Sequence, residues 1–176
     1  MVLNTQLNSI AALEQQRLVE HQAFKAYIKS YNDDAKLDAV VQALEQHISP
    51  LIDCTQCGNC CRSLMINVTE AECTTVSQAL GISEQSFTQQ YVETSTYGAM
   101  VINTIPCHFL SNNKCTIYQH RFRECRDFPH LHQPNFSSRI GGTLMHYGRC
   151  PIIYNVIEQL KVKLSWQGST HATTQL

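Results

Sequence analysis

Apolar residues recur along the first part of the chain at helical spacing. Leu7, Ile10, Leu13, Phe24, Tyr27, Ile28 and Tyr31 mark residues 5 to 31 as helical. Asn32, Asp33 and Asp34 interrupt that pattern and supply an N-cap. Leu37, Val40, Val41, Leu44 and Ile48 then follow i, i+3, i+4, i+7 and i+11, a single buried stripe that Pro50 ends. These two segments are expected to pair as an antiparallel helical hairpin or to offer a face to a protein partner. Further on, Thr69 and Glu72 read as a capping box, Gly81 as the end of that helix, and Ser83 as the cap of another running to Tyr91. Ala99 to Ile105 is β-branched enough for a strand, and the polar stretch 111–114 between Phe109-Leu110 and Cys115-Tyr118 predicts a hairpin. Residues 119 to 150 lack a period, and so long an irregular stretch calls for a local staple. Pro151 opens a last helix with Ile153, Ile157, Leu160 and Leu164 on one face, and a polar tail begins at Ser165.

Composition narrows the class. With 43% hydrophobic and 15% charged residues in 176, the chain has enough apolar content to fold, so bulk disorder is not expected. A net charge of -1 gives no general electrostatic grip on nucleic acid or acidic lipid. The first residues carry neither a basic segment nor an apolar run, and no stretch approaches the ~18 apolar residues of a membrane span. These features predict a cytoplasmic protein, in a compartment where thiols stay reduced.

Nine cysteines change the picture. Cys54, Cys57, Cys60 and Cys61 form C-x2-C-x2-C-C, and two-residue spacing lets a turn aim successive sulfurs at one point. Gly58 permits the positive φ such a turn needs. Cys107, Cys115, Cys125 and Cys150 follow, the last directly before Pro151. Cys73 lies inside an amphipathic helix and reads as a small buried hydrophobe. The remaining eight match the count for two four-thiolate sites, or for one four-iron cluster with thiols to spare. Neighbouring side chains usually diverge, so Cys61 is expected to serve a different role from Cys60: a second site or a bridging thiolate.

Thiolates on a divalent metal leave excess negative charge. Arg62, Arg121, Arg123, Arg126 and Arg149, all close in sequence to a cysteine, are the expected neutralisers. Asp53, Glu124 and Asp127 read as partners of those arginines. His108, His130, His132 and His146 are further nitrogen donors near the cysteines, while Met100 and Met145 read as core. No phosphate loop, dinucleotide fingerprint, nucleophile elbow or zinc-protease helix motif is present.

Cys54 to Cys61, the block from Pro106 to Pro129, and Arg149-Cys150-Pro151 together resemble the YkgJ-like family of bacterial CxxCxxCC proteins, a zinc- or iron-chelating domain. Cys107, Phe109, Leu110, Cys115, Ile117, Tyr118, Arg121, Cys125, Arg126, Phe128 and Pro129 fill the places of the family's second block, and Phe122 stands where the family usually has Pro. The resemblance runs from about 52 to 151. It implies that Cys54, Cys57, Cys60, Cys61, Cys107, Cys115, Cys125 and Cys150 chelate metal, with the biochemical role undefined.

The expected fold is α+β and predominantly α-helical: a small, metal-stapled, cysteine-rich single domain with irregular loops and a short hairpin. Residues 1–50 would form the helical hairpin, 51–164 the metal-binding domain and 165–176 the tail. The cofactor is expected to be zinc or an iron-sulfur cluster. The alternatives are an iron-sulfur redox enzyme or electron carrier acting on a protein, and an interaction module in which metal loss or thiol oxidation switches a partner held by the N-terminal helices.

Overall fold

In the computed structural model, which describes residues 2–168, the chain divides into two compact units. One takes the chain up to Ile52 and from Pro129 onward; the other is Asp53–Phe128. The first begins with α1 (Leu7–Gln16), α2 (Leu18–Lys29) and α3 (Asp34–Ile48). Within the second lie α4 (Cys54–Cys57), α5 (Asn59–Ser63), β1 (Asn67–Val68), α6 (Glu70–Leu80), α7 (Glu84–Tyr91), β2 (Val92–Thr94), β3 (Met100–Ile102), β4 (Leu110–Ser111), β5 (Lys114–Cys115) and α8 (Arg123–Asp127). The first unit resumes with α9 (Phe136–Leu144) and α10 (Pro151–Lys163). The protein is α+β and predominantly helical, as the patterning predicts. The tail expected over 165–176 lies outside the described residues from 169 onward. Among the described residues, no helix is long and apolar enough to cross a membrane.

In the helical unit, the segment read as one helix over 5 to 31 is two. Arg17 leaves helical geometry at φ −107° and ψ 15°. Its guanidinium ion-pairs with Glu158 and reaches the Tyr147 hydroxyl at 3.2 Å. Asp33 caps α3 by accepting the Lys36 N–H at 2.9 Å, and Leu37, Val41, Leu44 and Ile48 are buried as their spacing requires. Each N-terminal helix takes its main partner from the other end of the chain: α3 packs on α10, and α2 on α9.

The last helix, α10, is the centre of this unit. Every residue from Pro151 to Ile157 is buried, a wider surface than the single stripe its sequence suggests. Its polar groups are therefore matched inside the fold. Asn155 donates to the Asn4 and Pro151 carbonyls at 2.8 and 2.7 Å, and Lys161 Nζ meets Glu20 Oε1 and Glu158 Oε1, both at 2.7 Å. The Tyr147 hydroxyl also donates to Glu158, at 2.9 Å.

Helix α9 lies in the stretch expected to be irregular. It has no side-chain cap of its own; Asp38 on α3 accepts the N–H groups of Asn135 and Phe136, both at 2.8 Å. Gly141 lies close to α2, where a Cβ would stand 3.3 Å from Lys25 Cε. Met145, read as core, is 69% exposed just past the end of α9.

The cysteine unit is built from shorter pieces. Thr69 and Glu72 form the capping box of α6, Gly81 ends it at φ 69°, and Ser83 caps α7. Strands β1, β3 and β2 form an antiparallel sheet in that order, with Asn67 opposite Val101 and Val92 opposite Ile102. The predicted hairpin is β4–β5, turned by Asn112 and Asn113 at φ 48° and 62°. Two consecutive left-handed residues suit the twist of a two-residue loop, and Asn tolerates that conformation. Behind these elements Val68, Cys73, Val76, Phe87, Val92, Ile102, Phe109, Ile117 and Phe122 make one apolar core. Phe122 keeps a proline-like φ of −58°, so the turn survives while the ring enters the core 6.1 Å from Phe109.

Candidate metal centre

Seven of the eight expected ligands belong to the cysteine unit, and three of its segments bring them into one neighbourhood. Asp53 caps α4 by accepting the Thr55 N–H at 2.8 Å, and α4 carries Cys54 and Cys57. Gly58 at φ 56° then turns the chain directly into α5, which carries Cys60 and Cys61. A Cβ on Gly58 would lie 3.3 Å from the Asn113 backbone, so a side chain there would crowd the hairpin turn as well as strain the backbone. Arg62 ties the same junction, donating to Asn113 Oδ1 and to the Cys57 carbonyl. Cys107 is held beside the motif by its N–H to the Cys61 carbonyl at 2.8 Å. Cys115 ends the hairpin, Cys125 sits in α8, and both pack with Cys107 against the apolar core.

The sulfurs are close enough to act on one another. Cys60 and Cys61 Sγ lie 3.9 Å apart, against the expectation that adjacent side chains diverge. Two thiolates on one tetrahedral zinc, at ~2.3 Å per bond, stand about 3.8 Å apart, so this pair is spaced to share an ion. The Cys61 thiol is drawn down to about 7 by its hydrogen bond with Cys60 and by the Arg62 and Arg121 charges, against the effect of burial. Burial pushes Cys54, Cys107, Cys115 and Cys125 upward, the last to about 12. Each of these four is raised further by negative charge on Cys61. Protonated thiols thus crowd a half-buried region, where a bound cation would replace their protons.

Two backbone groups favour that exchange. The Phe109 N–H bonds to the Cys107 sulfur and the Ile117 N–H to the Cys115 sulfur, each two residues after its cysteine. Such bonds stabilise a thiolate. Sequence reasoning missed these donors, although the repeated spacing, Cys-x-Phe and Cys-x-Ile, is visible in the chain.

All nine cysteines are free thiols. Among the described residues, no three His, Cys, Asp or Glu side chains stand ready-made at ligand spacing around one point. Donor chemistry, local charge and the N–H groups aimed at sulfur fit a thiolate-bound metal, whose loading would draw the side chains together.

The other candidates divide between the two units. Cys150 is buried in the helical unit, at the N-cap of α10. His130, His132 and His146 belong to that unit too: His130 Nδ1 is 3.3 Å from Gln133, and His132 Nδ1 is 4.0 Å from Glu45. In the cysteine unit, His108 Nε2 is 2.7 Å from Asn103 Oδ1. Cys73 is 3% exposed in the apolar core, as its helical position predicts. Of the five candidate neutralising arginines, Arg62 and Arg121 act on thiols. Arg126 instead donates to the Arg121 carbonyl, and Arg149 lies in the helical unit. Two of the carboxylates read as arginine partners do other work: Asp53 caps α4, and Glu124 receives the Asn67 backbone and side-chain N–H groups at 2.8 and 2.9 Å.

Compared with known families, residues 53–143 match the model CxxCxxCC, described as "Putative zinc- or iron-chelating domain". That span takes in every cysteine of the cysteine unit and stops short of Cys150. Neither the curated proteins nor the solved structures gave a match.

Proposed function

From the premise that this chain belongs to the CxxCxxCC family, we propose that it is a metal-binding protein whose cysteine unit is fastened by thiolate-held zinc or iron. Cys54, Cys57, Cys60, Cys61, Cys107, Cys115 and Cys125 are the ligand pool, with Cys150 the eighth candidate. The observation that carries this reading is the Cys60–Cys61 pair, whose sulfurs lie 3.9 Å apart, with Cys107 tied beside it by its N–H to the Cys61 carbonyl at 2.8 Å. A bound metal supplies charge neutralisation and cross-links, and iron with sulfide would add one-electron chemistry. The chain's own residues do the rest. Gly58 sets the turn between paired cysteines, the Phe109 and Ile117 N–H groups hold charge on two sulfurs, and the apolar core limits water at Cys125. Strands of two or three residues and helices of four or five favour a structural role, since such pieces need a fastener.

The test is anaerobic purification followed by metal and acid-labile sulfide analysis and a visible spectrum on one sample. Bound zinc without colour, or iron with matching sulfide and absorption near ~400 nm, would each support the reading and would choose the metal. A metal-free wild-type protein would overturn it. In the same assay Cys54→Ser and Cys125→Ser should lose metal while Cys73→Ser keeps it. Equal loss in all three would sink the ligand assignment. Cys150→Ser reports separately on whether the helical unit contributes a ligand.

A further inference from the structure

One cation in the cysteine unit carries a buried donor that no acceptor meets. Arg121 Nε is buried and has no hydrogen-bond acceptor. Buried side-chain donors are almost always paired, so an unpaired one calls for a partner. The guanidinium carbon stands 4.0 Å from the centre of the Tyr118 ring. Its backbone is held by the Arg126 guanidinium, which donates to the Arg121 carbonyl, and by the buried ring of Phe122 next in the chain. Its charge acts on Cys54, Cys61, Cys115 and Cys125. The neighbouring arginine differs: Arg62 spends its guanidinium on Asn113 Oδ1 and the Cys57 carbonyl.

We infer that Arg121 is a positioning residue of the thiolate centre, holding its buried Nε–H for a cysteine sulfur once that sulfur is bound to metal. The inference rests on the metal-binding reading above and adds a residue to it. A neutral thiol is a weak acceptor. A metal-bound thiolate carries enough charge to take the N–H and to pair with the cation. The bond would withdraw charge from sulfur, tighten metal retention and raise the energy of sulfur-to-metal charge transfer.

Zinc affinity is measured by chelator competition, and the charge-transfer band is recorded after loading the full chain with Co(II). Wild type is compared with Arg121→Met and Arg121→Lys, and circular dichroism checks the fold of each. Arg121→Met is expected to weaken zinc retention by about 10- to 100-fold, the usual effect of removing a group that orients ligands. It should also move the Co(II) band to lower energy. Arg121→Lys keeps the charge without the Nε donor, so the band should move while part of the affinity returns. This variant also decides the matter if Arg121→Met fails to fold. A merely structural Arg121 would lower stability in both variants and leave the band in place, which overturns the inference and spares the metal reading. A wild-type chain that takes up neither zinc nor cobalt overturns the inference, and one that also carries no iron overturns the metal reading with it.

Discussion

The two units solve the problem of a small core by different means. In the helical unit, helices of 9 to 15 residues bury long side chains around α10, and the charges they bring inside are paired. Its core includes Phe24, Phe136, Ile140, Tyr147, Ile153 and Ile157, all inaccessible to solvent. The cysteine unit has only α6 and α7 longer than one or two turns, and Cys107, Cys115 and Cys125 pack against its core beside Ile66, Ile82, Tyr91 and Met100. A thiol buries little apolar area, so these three add little to the hydrophobic effect. The difference teaches where metal should matter: it should hold the second unit and be dispensable to the first.

Chelation is the strongest way to break that comparison. Structural zinc in thiolate sites contributes ~10 kcal/mol or more of apparent binding energy, so its loss can unfold what it fastens. Treating the metal-loaded chain with a chelator should expose the stretch from 105 to 128 to protease. Cutting between 136 and 163 should stay slow, because α9 and α10 rest on apolar packing. Equal protection of both stretches would mean that the cysteine unit stands without metal. Equal exposure would mean that the helical unit depends on it.

The same contrast explains how much could be read from the chain. Signals that act over a few residues were legible: the Thr69–Glu72 capping box, the cap at Ser83, the turn at Gly58, the Asn112–Asn113 hairpin and the Pro151 helix start. The cysteine motif was legible for the same reason, because its spacing is local. What failed depended on residues far apart. Helix α9 is capped by Asp38, 97 positions before Asn135, and its Gly141 lies against Lys25 of α2. The break at Arg17 accompanies an ion pair with Glu158, 141 positions away. That Cys150 belongs to the helical unit, at the start of α10, was likewise not readable from its spacing.

A smaller effect sharpens the comparison from the helical side. Asp38→Ala removes two charge-assisted bonds to the start of α9, and loss of a cap costs about 0.5–2 kcal/mol. Thermal unfolding of the metal-loaded protein should show a lowered transition for the helical unit, with bound metal unchanged. Metal loss in this variant would show that the two units fail together, and the division of labour argued above would fall.

The smallest expected effect is a pH dependence confined to the helical unit. His21 is buried on α2, its ring edge-on to Tyr147 at 4.2 Å, and its Nε2 has no hydrogen-bond partner. Burial, with the Lys161 and Arg17 charges adding to it, holds its pKa below the ordinary 6.5 against the opposing pull of Glu20 and Glu158. The unfolded chain therefore binds this proton more readily than the folded one. The contribution is complete above pH 6.5 and is lost as pH falls from there through the folded value. His146 is shifted in the same direction, by burial and by the Arg149 and His130 charges, and adds to the slope. Stability of the helical unit should thus decline as pH falls below 6.5, by at most about 1.4 kcal/mol per pH unit for each histidine. His21→Phe fills the site with a ring that takes no proton, so it should flatten part of that decline. The measurement is chemical denaturation followed by the fluorescence of Trp166, which packs edge-on against Phe24 at 5.0 Å in this unit. An unchanged slope in His21→Phe would show that His21 gains its proton as readily in the fold as in water, and that its burial among the charges of α10 is not what sets the acid limit of this unit.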